Sequence, residues 1–176
     1  MASLTITLQD INTYEKETFI SALANLFEGP PWIVTNAYPT RPFASLDQLH
    51  QVLCSIMYAA PLDQQVALLR AHPDLVGRAA LIGSLSPASK GEQAAAGLDQ
   101  LTGEEIATFQ HNNKLYRERF GFPFVICARE NKKESILDGF DKRLNHTFEQ
   151  EVTLALTEVA KICSLRLRDL VVDDSL

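Results

Sequence analysis

Nearly every strong apolar repeat in this chain advances by three or four residues, and most such runs sit between helix-start and helix-stop residues. That restricts the fold to packed helices. Phe19, Leu23, Leu26 and Phe27 recur at this spacing behind Asn12 and Glu15, which read as a capping pair, and Gly29-Pro30-Pro31 stops the run. Trp32 to Phe43, with Pro39 and Pro42, reads as a connection with room for a helical turn. Ser45 with Gln48 opens a second helix striped by Leu46, Leu49, Leu53 and Ile56; Pro61 closes it and suits the first turn of a third, through Leu62, Val66 and Leu69. The third helix ends at about His72, because Pro73 disfavours α geometry in the residue before it.

Residues 77–88 mix Gly77, Gly83, Ser84, Ser86 and Pro87 and read as a loop leading to a start at Ser89, where Ser89-Lys90-Gly91-Glu92 has the capping-box form. Thr102 with Glu105 opens a long helix that ends by Gly121. Phe122 to Cys127 is apolar, contains Pro123, and is too short for a buried helix, so it is expected to be extended. Two more helices follow, around Ile136, Leu137, Phe140 and Leu144 and from about Thr147 to Val172. The expectation is an all-α fold: residues 1–176 as a single-domain bundle of seven to eight helices, with a short extended segment near 122–128.

Composition narrows the function. A chain of 176 residues can bury roughly two thirds of its unfolded surface and needs no metal or disulfide staple. The cysteines Cys54, Cys127 and Cys163 form no C-x-x-C pair, as expected of a reducing compartment or of buried thiols. The net charge of -6 opposes general attraction to nucleic acid or an anionic membrane. The amino end has no basic stretch before an apolar run, and the end Asp174-Ser175-Leu176 is not a Ser-Lys-Leu address, so the expected location is the cytoplasm. No phosphate loop, G-x-G-x-x-G or G-x-S-x-G is present. His50 and Cys54 stand four apart, as two metal ligands would, but without a second pair. His111, His146 and the Lys132-Lys133 cluster are expected to be solvated.

Three positions are candidates for chemistry, each beside a plain structural reading. On the last helix Val152, Leu156, Val159, Cys163 and Leu170 form a core stripe, and Arg166 falls on it. A guanidinium there pairs with an internal carboxylate, snorkels to the core edge, or meets a substrate anion. His72, at a helix carboxyl end, either caps carbonyls or donates a proton. Glu92 either reaches back to the Ser89 amide or faces a ligand in the cradle of the helix amino end, with Ser89 and Gln93 beside it.

Three separated motifs weigh on these alternatives: Ala71-His72-Pro73-Asp74-Leu75-Val76-Gly77-Arg78; Ser89-x-x-Glu92-Gln93 running into Ala96-Gly97-Leu98-Asp99; and Phe120-Gly121-Phe122-Pro123-Phe124-Val125-Ile126-Cys127-Ala128-Arg129. Together they resemble the 2-oxo-4-hydroxy-4-carboxy-5-ureidoimidazoline (OHCU) decarboxylases of urate degradation. The likeness continues through Arg143-Leu144 and Lys161-Ile162-Cys163-Ser164-Leu165-Arg166-Leu167 and spans roughly residues 10–171. The resemblance implies an all-helical enzyme, commonly a homodimer, that converts OHCU to (S)-allantoin and carbon dioxide in the absence of metal or organic cofactor. It implies His72 as proton donor beside Pro73; on chemical grounds the proton transfers at the hydroxyl and the developing carbanion are expected to be divided between His72 and Glu92. Substrate contacts are implied from Ser89, Lys90, Gly91, Glu92 and Gln93, from the backbone of Phe124, Val125, Ile126, Cys127 and Ala128, and from Arg166.

Overall fold

A computed structural model of the chain describes residues 5–173. The chain runs β1 (Ile6–Thr7), α1 (Leu8–Thr13), α2 (Lys16–Leu23), α3 (Trp32–Ala37), α4 (Leu46–Ala59), α5 (Leu62–Arg70), α6 (Arg78–Leu81), α7 (Pro87–Ala95), α8 (Gly103–Phe120), α9 (Lys133–Arg143), α10 (Phe148–Leu170) and β2 (Val171–Val172). Short 3-10 turns follow α2, α3 and the extended segment. The fold is all-α, and the expected helical runs correspond to α2, α4, α5, α7, α8, α9 and α10. No single helix among the described residues is long and apolar enough to cross a membrane. Met1–Leu4 and Asp174–Leu176, on which the expected lack of an address signal partly rests, lie outside the described residues.

Four expectations about local structure are corrected. The first cap is Thr7, whose hydroxyl accepts from the Asp10 amide while the Asp10 carboxylate accepts from the Thr7 amide. Asn12 instead clamps Phe43 from both sides, donating to its carbonyl at 2.9 Å and accepting from its amide at 2.7 Å. The segment 32–43 contains a true helix, α3, and the segment 77–88 contains α6. The last helix stops at Leu170, and Val171–Val172 pairs in parallel with Ile6–Thr7. The caps expected at Ser45 and Thr102 are present, and Gly121 ends α8 in the left-handed conformation (φ 77°) that its missing Cβ permits.

The chain divides into two compact units, Met1–Gln65 with Ala160–Leu176, and Val66–Val159. In the first, Phe19, Leu23, Ile33, Leu49, Leu53 and Met57 are buried. Arg41 lies over the Tyr38 ring and donates to the carbonyls of Asn12 and Tyr14, groups that the end of α1 leaves without helical partners. The second unit is built on aromatic packing. Tyr116 meets Phe120, Phe122, Phe124 and Phe140, and Phe124 stacks on Phe140 with centroids 4.0 Å apart. A Cβ at Gly139 would come within 3.3 Å of the Phe124 ring, which explains glycine there. The Phe124 side chain is thereby an anchor for the segment that carries it.

Candidate functional site

His72 lies just past α5 and is 7% exposed. Its Nδ1 stands 2.9 Å from the Leu68 carbonyl, which can only accept, so Nδ1 carries a hydrogen. The tautomer is thereby fixed, and any proton the imidazole gains or loses moves at Nε2. Capping a carbonyl and transferring a proton, the two readings left open by the sequence, fall to different nitrogens of one ring.

The residues after His72 form a strained turn held from several sides. Val76 is buried at φ 53°, a conformation costly for a β-branched residue. Gln93 of α7 grips the turn with both ends of its amide, accepting from the Val76 amide at 3.1 Å and donating to the Asp74 carbonyl at 3.3 Å. Asn113 of α8 donates to the Leu75 carbonyl at 2.7 Å, while its own Oδ1 is buried without a partner. Arg117 Nε donates to both oxygens of the Asp74 carboxylate, at 2.9 and 3.1 Å. Pro73 is half-buried at the start of this turn, and a Cβ on Gly77 would collide with Asp74 at 2.6 Å.

Helix α7 starts three residues earlier than its capping pattern suggests. Ser86 is the cap, accepting from the Ser89 amide, and Pro87 occupies the first helical position, where its missing N–H costs nothing. Ser89 is therefore inside the first turn, and Glu92 stands a turn too far along to close a capping box. The structural duty that the sequence offered Glu92 is removed. Ser89 and Gln93 are buried and Glu92 is half-buried, whereas Lys90 and Gly91 are exposed. Lys90 lies with Val76, Leu85, Gln93 and Leu98 along a cavity of about 310 Å³.

Residues 123–127 have no helical structure, as expected, and a 3-10 turn (Ala128–Glu130) that packs on α7 follows them. The Val125 carbonyl accepts from Arg143 at 2.7 Å and the Cys127 amide donates to Glu158 at 2.9 Å. In extended backbone alternate residues share an edge, so these two groups use one edge and the peptide groups of Ile126 turn to the other. Ile126 is also the one residue from Phe122 to Ala128 that is not fully buried. Burial first, then the charges of Glu130, Glu158 and Glu92, raise the Cys127 thiol pKa.

Arg166 belongs to the first unit. It is 9% exposed, and its guanidinium donates to the Asn25 carbonyl at 3.2 Å and pairs with Glu28 at 3.1 Å. The internal carboxylate anticipated for a cation on a core stripe is thus Glu28. In the same unit His50 Nε2 lies 2.8 Å from the Ala160 carbonyl and 3.3 Å from Cys54 Sγ. Its hydrogen is directed at a carbonyl, and among the described residues no three His, Cys, Asp or Glu side chains gather as metal ligands would. Burial pushes the Cys54 thiol up to about 11, and those of Cys127 and Cys163 rise with it. Two units above the ordinary value leaves about a hundredfold less thiolate at pH 8. Native protein is expected to take up iodoacetamide at least that much more slowly at Cys54 than the urea-unfolded chain; equal rates, followed by mass spectrometry of the labelled peptide, would contradict the burial.

Sequence reasoning missed a buried cluster in the second unit. Glu151 is 0% exposed and accepts from Arg143 Nε at 2.8 Å, from His146 Nδ1 at 2.7 Å and from the Tyr116 hydroxyl. His146 is therefore tied to an internal carboxylate, not simply solvated. Lys132 and Lys133 are also committed, to the Ala95 carbonyl and to Glu105, while His111 is exposed as expected. Glu151, Ala155 and Glu158 recur in steps of four and three and are all buried, so the reasoning that singled out Arg166 applied equally to this row.

The chain matches the family model described as OHCU decarboxylase over residues 12–168. It is 38% identical over 164 residues to the 2-oxo-4-hydroxy-4-carboxy-5-ureidoimidazoline decarboxylase of Haloferax volcanii, covering 93% of this chain and 95% of that one. It is 38% identical over 160 residues to the enzyme of the same name from Mus musculus, covering 91% and 90%. A crystal structure of (S)-allantoin synthase superposes with a TM-score of 0.75 at 26% identity, covering 95% of this chain, which spans about half (54%) of that one. A crystal structure of OHCU decarboxylase in the presence of (S)-allantoin has the same fold, with a TM-score of 0.69 at 20% identity over 89% and 98% of the two chains. With a family match over most of its length and relatives matched nearly end to end, the chain belongs to the OHCU decarboxylase family.

Proposed function

We propose that this protein decarboxylates OHCU to (S)-allantoin and carbon dioxide in urate degradation, with residues 1–176 acting as one functional domain and with neither metal nor organic cofactor. Loss of the carboxylate leaves an electron pair on the ring carbon, which the imidazoline ring and its carbonyl can delocalise. Enzymes that lack such an acceptor in their substrate use a cofactor as electron sink. The protein's tasks are then to orient the ureide, polarise it and move protons.

His72 Nε2 and Glu92 divide the proton transfers: the hydroxyl on the carbon that loses its carboxylate gives up its proton as that carbon becomes the ring carbonyl, and the neighbouring ureido-bearing carbon takes one. The observation that supports this reading is the locked tautomer: Leu68 holds Nδ1–H and the turn 74–76 is clamped, so proton exchange at this ring is confined to Nε2. The edge of Ile126 opposite Arg143 and Glu158 offers an N–H and a C=O, a pair that complements a ureido group. Pro73, Ser89, Lys90, Gly91 and Gln93, with Phe124 to Ala128, border the ligand. Arg166 enters the proposal from the family resemblance, as a further contact to a substrate oxygen. The same resemblance supports a homodimer, and the composition supports a cytoplasmic setting.

Freshly generated OHCU mixed with the protein tests this. Carbon dioxide release is expected to rise in proportion to protein and to survive dialysis against a chelator. Release at the uncatalysed rate would refute the activity, and loss of the catalysed rate with chelator would favour a metal-dependent enzyme.

A further inference from the structure

The cluster around Arg143 is costly for a core. It brings a guanidinium and a carboxylate, both essentially excluded from water, together with a phenol and an imidazole, where apolar side chains of similar volume would usually serve stability as well or better. Its geometry shows what it holds. Arg143 Nε pairs with Glu151, Nη2 reaches the Tyr116 hydroxyl at 3.4 Å, and Nη1 donates to the Val125 carbonyl at 2.7 Å. The guanidinium also lies 4.2 Å from the centre of the Phe124 ring. It therefore touches two consecutive residues of the segment 124–128, one through its side chain and one through its backbone. Glu151 orients the fork that does so.

We infer that Arg143, oriented by Glu151, is a positioning residue for the reaction: by fixing the Val125 carbonyl on the buried edge of the extended segment, it turns the Ile126 peptide groups toward the ureide. The inference rests on the decarboxylase reading and adds to it a specificity role for residues that touch no substrate. A carbonyl held by a charged donor cannot rotate with its neighbours, and rotating the 125–126 peptide would carry the Ile126 N–H away from the open edge. Glu158 holds the next buried-edge group, the Cys127 amide, so the Ile126 peptide units are fixed from both sides.

Two variants test it. Arg143→Lys keeps the charge beside Glu151 but cannot serve that carboxylate and the Val125 carbonyl with one planar fork. The triple change Tyr116→Phe, Arg143→Met, Glu151→Leu removes the buried guanidinium, carboxylate and phenol together and leaves only the part-exposed His146 of the cluster, so that no charge is left buried alone. Contacts to the ureide act in ground and transition state alike, so their loss raises KM more than it lowers kcat. KM for OHCU is expected to rise about 10-fold in the lysine variant and up to about 100-fold in the triple variant, the range expected for a lost charged hydrogen bond. kcat should stay within about threefold while far-ultraviolet circular dichroism stays native. If the triple variant does not fold, the lysine variant alone decides. Unchanged KM in a folded variant, beside an active parent, overturns the positioning role and leaves the decarboxylase reading standing. An equal fall in kcat with no change in KM also overturns it. A parent protein inert toward OHCU overturns both.

Discussion

Replacing His72 by asparagine is expected to lower kcat for OHCU by about 10² to 10⁴, the usual contribution of a general acid or base, with KM changed by less than about threefold. Asparagine is the informative choice because its Nδ2 lies where histidine places Nδ1. It can still donate to the Leu68 carbonyl, which His72 Nδ1 meets at 2.9 Å, but offers nothing at the place of Nε2. The turn that follows keeps its other restraints, from Gln93, Asn113 and Arg117. A well-folded H72N protein with near-normal turnover would show that the ring serves only to cap the helix.

Glu92→Gln is expected to lower kcat by a similar factor, about 10² or more. This change keeps the side chain's shape and removes its charge and its capacity to exchange a proton. The cap of α7 is Ser86, so no helix-start contact is lost through Glu92, and the thermal midpoint should move by no more than a few degrees. The double variant H72N/E92Q adds a finer test. If the two groups serve one proton relay, removing the second after the first costs much less than its effect alone, and the losses in kcat fall short of multiplying. Fully multiplicative losses would assign the two residues to independent steps.

The helices were legible because their start signals are local. Ser45 and Thr102 each act on a backbone amide three residues on, and both patterns lie in four consecutive letters. The misread start of α7 is equally local: several side chains of the right type stood at the right spacing. Ser86 and Ser89 were both eligible caps, and the deciding residue was Pro87, which fits the first helical position only if Ser86 precedes it. Asn12 lost its capping role to a partner 31 residues away, Phe43, which no local pattern encodes. The extended segment was recoverable from its length and Pro123.

Candidate chemistry was legible by residue type but not by orientation. Nothing in the letters around His72 assigns Nδ1 to Leu68, and nothing around Val76 signals a left-handed backbone, since that conformation is imposed by Gln93 and Asn113 from two other helices. The Arg143–Glu151 pair could have been suspected from the row Glu151, Ala155, Glu158 on the last helix. Its target, the carbonyl of Val125, is a backbone atom, and tertiary contacts to backbone leave little trace in a single sequence.

The handedness of the product tests the central claim most directly. Decarboxylation in free solution leaves a planar centre that takes a proton from either face, so it yields both hands of allantoin equally. A proton delivered from Nε2 of a fixed imidazole, to a ureide held on one edge of Ile126, arrives from one face only. Following optical rotation as fresh OHCU is consumed should show a single enantiomer, (S)-allantoin, accumulating in proportion to protein. A racemic product formed at the rate seen without protein would contradict the account.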